Sequence, residues 1–188
     1  MLQTTHPEAV ARMGGRPIGR VVFTAAQIQA RVREMGAEIE AAFPVDDELL
    51  VLGLLKGSFI FLADLVRQIR RPLQVDFIVA TSYGDSTVSS GNVRLVYDPE
   101  TRLEGKHILL VEDIIDTGRT LNRLVELLES RNAKSLEICA LLDKHLAGDL
   151  KLKPKFLGFD APREFLVGYG LDHAEDFRHL PFVASLAD

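Results

Sequence analysis

The sequence predicts an α/β fold in which a mostly parallel, twisted sheet is flanked by helices. Three observations predict it. Leu49 to Leu55 and Ile108 to Val111 are unbroken apolar runs, as strands buried on both faces of a parallel sheet require. Each run passes through a polar turn, Lys56-Gly-Ser58 or Asp116-Thr-Gly-Arg-Thr120, into a helical segment. A third apolar strand pattern, Ser135 to Leu142, follows the second helix.

The elements follow in order. Residues 1 to 20 are irregular, with Gly14-Gly15-Arg16-Pro17 breaking any period, and read as an N-terminal arm preceding a single domain over residues 21 to 188. Thr24 and Gln27 form a capping box, and Ile28, Val32, Met35, Ile39 and Phe43 recur at helical steps until Pro44. The strand at Leu49 leads to a helix from Phe59 to Arg70. Val75, Phe77 and Val79 alternate with more polar neighbours, predicting a strand that ends at Ser82-Tyr83. Gly84 to Gly91 is small and polar, a mobile loop or a plain hairpin connection, before Val93, Leu95 and Tyr97 resume the period of two. After Ile108 to Val111, the helix is marked by Leu121, Leu124, Val125 and Leu128. The Ser135 strand ends in Asp143-Lys144-His145, Leu150 to Pro154 is a loop, and Phe156 to Phe159 and Phe165 to Tyr169 are short extended pieces. The tail from Gly170 mixes acids with Arg178 before Phe182-Val183.

Composition narrows the class. A chain of 188 residues can bury roughly two-thirds of its unfolded surface in one core. The single Cys139 lies in an apolar stretch and is expected to be a buried, inert thiol, which fits a reducing cytoplasm. No apolar run is long enough to cross a bilayer, and the N-terminus has no apolar signal core, so no membrane partner is expected. The net charge of −5 argues against a general nucleic-acid binder.

The chemistry concentrates where the Ile108 strand ends. Glu112 and Asp113 sit at its carboxyl end, where open α/β sheets bind ligands. In the turn that follows, free N–H groups at a helix start, the Thr117 and Thr120 hydroxyls and Gly118 make an anion cradle suited to a phosphate monoester. Carboxylates repel phosphate, so the acidic pair accepts hydrogen bonds from hydroxyls or holds a metal. A phosphate beside a diol describes ribose 5-phosphate, and Asp116 is left to face the reaction at the sugar. Lys56 and Gly57, at the other strand tip, form a second anion site that lacks the Walker spacing; taken alone, Lys56 reads more often as a solvated surface lysine, and the sugar phosphate inferred nearby favours the anion site.

The run Val111-Glu-Asp-Ile-Ile-Asp-Thr-Gly-Arg-Thr120 resembles the phosphoribosyl-pyrophosphate signature of the type I phosphoribosyltransferases. Leu55-Lys-Gly57, Thr81-Ser-Tyr83, Leu142-Asp-Lys144, Phe165 to Asp172 and Phe177-Arg178 follow in the order of the hypoxanthine-guanine branch. The resemblance implies the type I fold, with a small hood subdomain built from N- and C-terminal segments and a hood loop carrying Ser82 and Tyr83. It implies transfer of a ribose 5-phosphate from phosphoribosyl pyrophosphate to a 6-oxopurine, with Mg²⁺ as cofactor. Glu112 and Asp113 would hold the ribose hydroxyls or Mg²⁺, with Asp172 as a further metal-binding acid. Thr117, Gly118, Arg119 and Thr120 would hold the 5-phosphate, and Lys56, Gly57 and Arg178 the pyrophosphate. Lys144 would donate to the 6-oxo group, and Phe165 would stack on the purine, with Leu166 beside it; without the resemblance, Phe165 reads as core. Asp116 would be the general base, a role compatible with capping the next helix. A homodimer or homotetramer is implied as well. Other readings are a transferase for xanthine, adenine or a pyrimidine, a non-catalytic phosphoribosyl-pyrophosphate sensor that binds RNA or protein, and a metal-dependent phosphate-binding module without transfer activity.

Overall fold

The computed structural model describes residues 18–82 and 93–186. Its elements are β1 (Ile18–Phe23), α1 (Ala25–Ala42), β2 (Leu49–Leu55), α2 (Phe59–Val66), β3 (Gln74–Ser82), β4 (Val93–Tyr97), β5 (His107–Ile115), α3 (Arg119–Glu129), β6 (Ser135–Asp143), β7 (Phe156–Asp160), β8 (Leu166–Val167) and β9 (Val183–Leu186). Six strands form the main sheet in the order β4-β3-β2-β5-β6-β7, parallel except for the antiparallel edge strand β4. A second, three-stranded sheet pairs β1 with β9 and β9 with β8, all antiparallel.

The central strands are apolar throughout because both faces are covered. Leu49 and Val51 of β2 share one core cluster with Ile28, Val32 and Ile39 of α1 and Phe61 and Leu65 of α2. Their neighbours Leu50 and Leu52 face the other way, into a cluster with Leu121, Leu124 and Leu128 of α3. The expected capping box starts α1: the Gln27 N–H donates to the Thr24 hydroxyl, and the Thr24 N–H to the Gln27 side-chain oxygen. Cys139 is fully buried in β6, and burial pushes its thiol far above the ordinary range, so it is inert as expected.

Several boundaries differ from the sequence reading. Residues 18–20, assigned to the irregular arm, belong to β1, whose partner β9 lies at the opposite end of the chain. The helix expected to reach Arg70 stops at Val66. Pro72 disfavours a helical Arg71, and the buried Arg71 guanidinium instead donates to the carbonyls of Phe43 and Asp47. β5 runs on to Ile115, so Glu112 and Asp113 lie inside the strand, with Ile114 and Ile115 still to follow. The alternation in β3 marked a strand, but Val75 and Phe77 are the exposed residues, at 41% and 37%, while Asp76 and Ile78 are buried. Short α2 packs on β2, and at that face of β3 Val75 and Phe77 stay partly exposed. Residues 1–17, Tyr83 and the 84–91 loop lie outside the described residues.

Candidate active site

The site forms where the direction of chain winding reverses. β2 continues through α2 to β3 on one side, and β5 through α3 to β6 on the other, so the adjacent carboxyl ends of β2 and β5 part to leave a crevice. A cavity of about 270 Å³ occupies that crevice, lined by Leu55 of β2, by Gly57 in the turn after it, and from β5 onward by Glu112, Asp113 and residues 116–120. Every residue expected to grip the sugar phosphate therefore faces one space.

Gly57 is required by contact. A Cβ at this position would lie 1.6 Å from an Asp113 carboxylate oxygen, so the turn after β2 rests directly on the acid. Gly170 packs as tightly on the Gly57 carbonyl, where a Cβ would stand 2.0 Å away, and brings the 170–178 segment against the same turn. The Leu55–Lys56 peptide bond is cis.

Gly118 is the N-cap of α3 and takes φ 72°, a left-handed conformation that other residues adopt at a cost. No side chain caps this helix start, so Asp116 is not its cap, contrary to the structural role open to it in the sequence. The Thr117-Gly-Arg-Thr120 backbone is thereby shaped to present N–H groups to an anion.

Glu112 and Asp113 are half-buried. Burial, reinforced by the Asp113 charge beside it, pushes the Glu112 carboxyl well above the usual carboxylate range. Asp113 accepts the Ile114 N–H at 2.7 Å, and Glu112 the Asp113 N–H at 3.3 Å. Two hard oxygen donors that repel each other suit a divalent cation. Asp172 is not brought to this pair: its carboxylate is held by Arg178 at 2.8 Å and by the Glu175 N–H at 2.9 Å. Among the described residues no group of three or more His, Cys, Asp or Glu side chains is arranged to hold an ion. A Mg²⁺ here would draw most ligands from substrate and water, its habitual coordination.

Lys144 follows β6, its N–H bonded to the Ile115 carbonyl at 3.0 Å and its largely buried ammonium 3.7 Å from Asp116. Phe165 is 54% exposed and meets the His173 ring edge-on at 5.5 Å, so it is available for stacking rather than being core. Leu166 is a correction: its side chain is buried in the core, which leaves only its backbone to offer a ligand. Ser82 closes β3.

Two groups escaped the sequence reading. His145, with φ 53°, bridges Asp160 at 2.6 Å and Asp143 at 3.4 Å across the tips of β6 and β7. Glu175 places its carboxylate oxygens 3.1 Å from the Lys56 ammonium and 3.3 Å from Arg178. The only signal in the sequence was the mixture of acids around Arg178 in the tail.

The phosphoribosyl transferase domain family matches residues 24–174. The hypoxanthine-guanine phosphoribosyltransferase of Bacillus subtilis is 46% identical over 169 residues, which cover 90% of this chain and 93% of that one. The hypoxanthine phosphoribosyltransferase of Salmonella typhimurium is 42% identical over 167 residues, covering 88% and 94%. Among solved structures, a hypoxanthine phosphoribosyltransferase from Staphylococcus aureus superposes with TM-score 0.86 at 39% identity, covering 90% of this chain and 92% of that one. A hypoxanthine-guanine phosphoribosyltransferase from Bacillus anthracis, with HEPES in its active site, gives 0.85 at 42%, covering 91% and 100%.

Proposed function

The chain belongs to the phosphoribosyl transferase domain family, and from that premise we propose how its residues divide the work of purine salvage. The enzyme is a transferase that converts hypoxanthine or guanine and phosphoribosyl pyrophosphate into IMP or GMP and pyrophosphate. The observation that carries the assignment of roles is the single crevice between β2 and β5, which joins an acid pair, a helix-start anion cradle and the Lys56-Gly57 turn.

In this reading the 5-phosphate sits on the backbone of Thr117, Gly118, Arg119 and Thr120. Glu112 and Asp113 take the ribose hydroxyls, and their negative field favours the positive charge that develops on the ribose as the bond to pyrophosphate breaks. Lys56, the Gly57 N–H and Arg178 bind the departing pyrophosphate. Glu112 and Asp113 would hold a Mg²⁺ that neutralises charge on the leaving group, while Asp172, paired with Arg178, would offer its carboxylate to an ion apart from that pair. On the other side, Lys144 donates to the 6-oxo oxygen and Phe165 stacks on the ring. The attacking ring nitrogen forms the new bond to the anomeric carbon, and Asp116 takes the proton lost from the imidazole edge of the purine. Ser82, at the end of β3, and Tyr83 are the pair that the resemblance assigns to a hood that would exclude water during this step.

Two coarser features extend the proposal. Among the described residues no helix is long and apolar enough to cross a membrane, which together with the buried free thiol of Cys139 supports a cytoplasmic enzyme. The exposed apolar face of β3 supports assembly into a homodimer or homotetramer.

The deciding experiment mixes the protein with phosphoribosyl pyrophosphate, Mg²⁺ and, in turn, hypoxanthine, guanine, xanthine, adenine and orotate, with the nucleotide products separated by chromatography. IMP and GMP are expected, each with stoichiometric pyrophosphate. A folded sample that makes neither, or that prefers a base lacking the 6-oxo group, overturns the reading.

A further inference from the structure

Glu175 has no part in the roles just assigned, yet it occupies the middle of the proposed pyrophosphate half-site. Both its carboxylate oxygens lie 3.1 Å from the Lys56 ammonium, and one lies 3.3 Å from the Arg178 guanidinium. A carboxylate between two cations has the charge and hydrogen-bonding character of a phosphate oxygen pair. The backbone is bent to put it there. Ala174 and Glu175 take the left-handed values φ 52° and 65°, and Asp172 ties the turn by accepting the Glu175 N–H at 2.9 Å. Non-glycine residues hold such conformations only where the surroundings impose them, and they cluster at functional sites.

The contact is also made to be given up. Lys56 and Glu175 are each 66% exposed, and ion pairs this open to water are weak. A pyrophosphate carries more charge than a carboxylate and would both outbid Glu175 for the two cations and repel it. We infer that Glu175 is a resident counter-anion of the pyrophosphate half-site: its carboxylate is exchanged for pyrophosphate oxygens on binding and returns as they leave. It thereby weakens pyrophosphate binding and speeds product release. The inference rests on the assignment of Lys56 and Arg178 to pyrophosphate.

The test is calorimetric titration of the full chain with pyrophosphate and Mg²⁺, using wild type, Glu175→Gln and Lys56→Ala. Removing the competing charge in Glu175→Gln is expected to tighten pyrophosphate binding about two- to fivefold, the strength of an exposed ion pair. IMP affinity should not change, because the 5-phosphate cradle lies elsewhere. Unchanged or weaker pyrophosphate binding in Glu175→Gln overturns the inference and makes Glu175 a structural support for Lys56. Glu175→Asp is the second variant: its shorter side chain withdraws the charge without removing it, and an affinity between those of wild type and Glu175→Gln is expected. Lys56→Ala separates the two levels. If it leaves pyrophosphate binding intact, the half-site assignment itself fails; if it abolishes binding while Glu175→Gln gains nothing, only the role of Glu175 fails.

Discussion

The Lys144 ammonium lies 3.7 Å from the Asp116 carboxylate, across the neighbouring tips of β6 and β5. The separation sets a hydrogen-bond donor and a proton acceptor side by side, close enough to meet neighbouring atoms on one edge of a purine, with the sugar-phosphate crevice next to Asp116. Their roles are separable. Asp116→Asn keeps the size of the side chain but cannot accept the proton, so kcat is expected to fall about 10²- to 10⁴-fold with little change in the KM for hypoxanthine. Steady-state kinetics measures both, and a kcat within a few-fold of wild type would remove Asp116 as the base.

Lys144→Ala should show the converse pattern. The ammonium would contact the base before and during reaction, so its loss raises the KM for hypoxanthine more than it lowers kcat. An unchanged KM for the base, measured at saturating phosphoribosyl pyrophosphate, would place the 6-oxo contact elsewhere.

Gly57→Ala probes the contact between the two strand ends. The added methyl would stand 1.6 Å from the Asp113 oxygen, and its three nearest atoms all belong to that carboxyl group, so the acid must move by an ångström or more. Overpacking of this kind costs about 1–3 kcal/mol of stability and leaves the fold intact. A displacement of that size at reacting groups costs on the order of 10²-fold in rate. The expected outcome is a folded protein by circular dichroism whose kcat/KM for phosphoribosyl pyrophosphate is down about 10²-fold. Near-normal activity would show that Asp113 does not need its present position.

How much of this was readable in advance depended on distance along the chain. β2, β5 and β6 announced themselves because strands covered on both faces are apolar without interruption. The acid pair and the Thr117-Gly118 turn were legible because they are contiguous. β1 was not, since six residues of mixed character become a strand only by pairing with β9 at the far end of the chain. For β3 the period marked the strand but left open which set of side chains is buried. Asp76 can be buried because Thr101 and its own neighbour Phe77 donate backbone N–H groups to it, while Val75 and Phe77 stay partly exposed. Glu175 reaches Lys56 across 119 residues, and no local pattern encodes such a contact.

His145 gives the tips of β6 and β7 a pH dependence. Its hydrogen bond to Asp160, followed by the charge of Asp143, raises the imidazole pKa above its ordinary 6.5. A raised pKa means that the folded state binds the proton more tightly than the unfolded chain does. The stabilisation is therefore complete below pH 6.5 and is lost as pH rises through the higher folded value. The melting temperature of wild type should exceed that of His145→Gln most at low pH, and the gap should close as pH rises. A gap that widens with pH would contradict the sign of the shift.

The partly exposed face of β3 makes the last prediction. Val75 and Phe77 point the same way, and Tyr97 joins them as the register partner of Val79 on β4. An apolar face beside an edge strand is a place for a second copy of the chain, since a soluble monomer seldom leaves one bare. Phe77→Glu puts a charge on that face without touching the crevice, and at a residue 37% exposed it should cost the single chain about 1 kcal/mol and leave it folded, which circular dichroism checks. Sedimentation velocity should then show wild type as a dimer or larger and Phe77→Glu shifted toward monomer. If both sediment as the same oligomer, the copies meet through another surface; if wild type is itself a monomer, this face has no such partner.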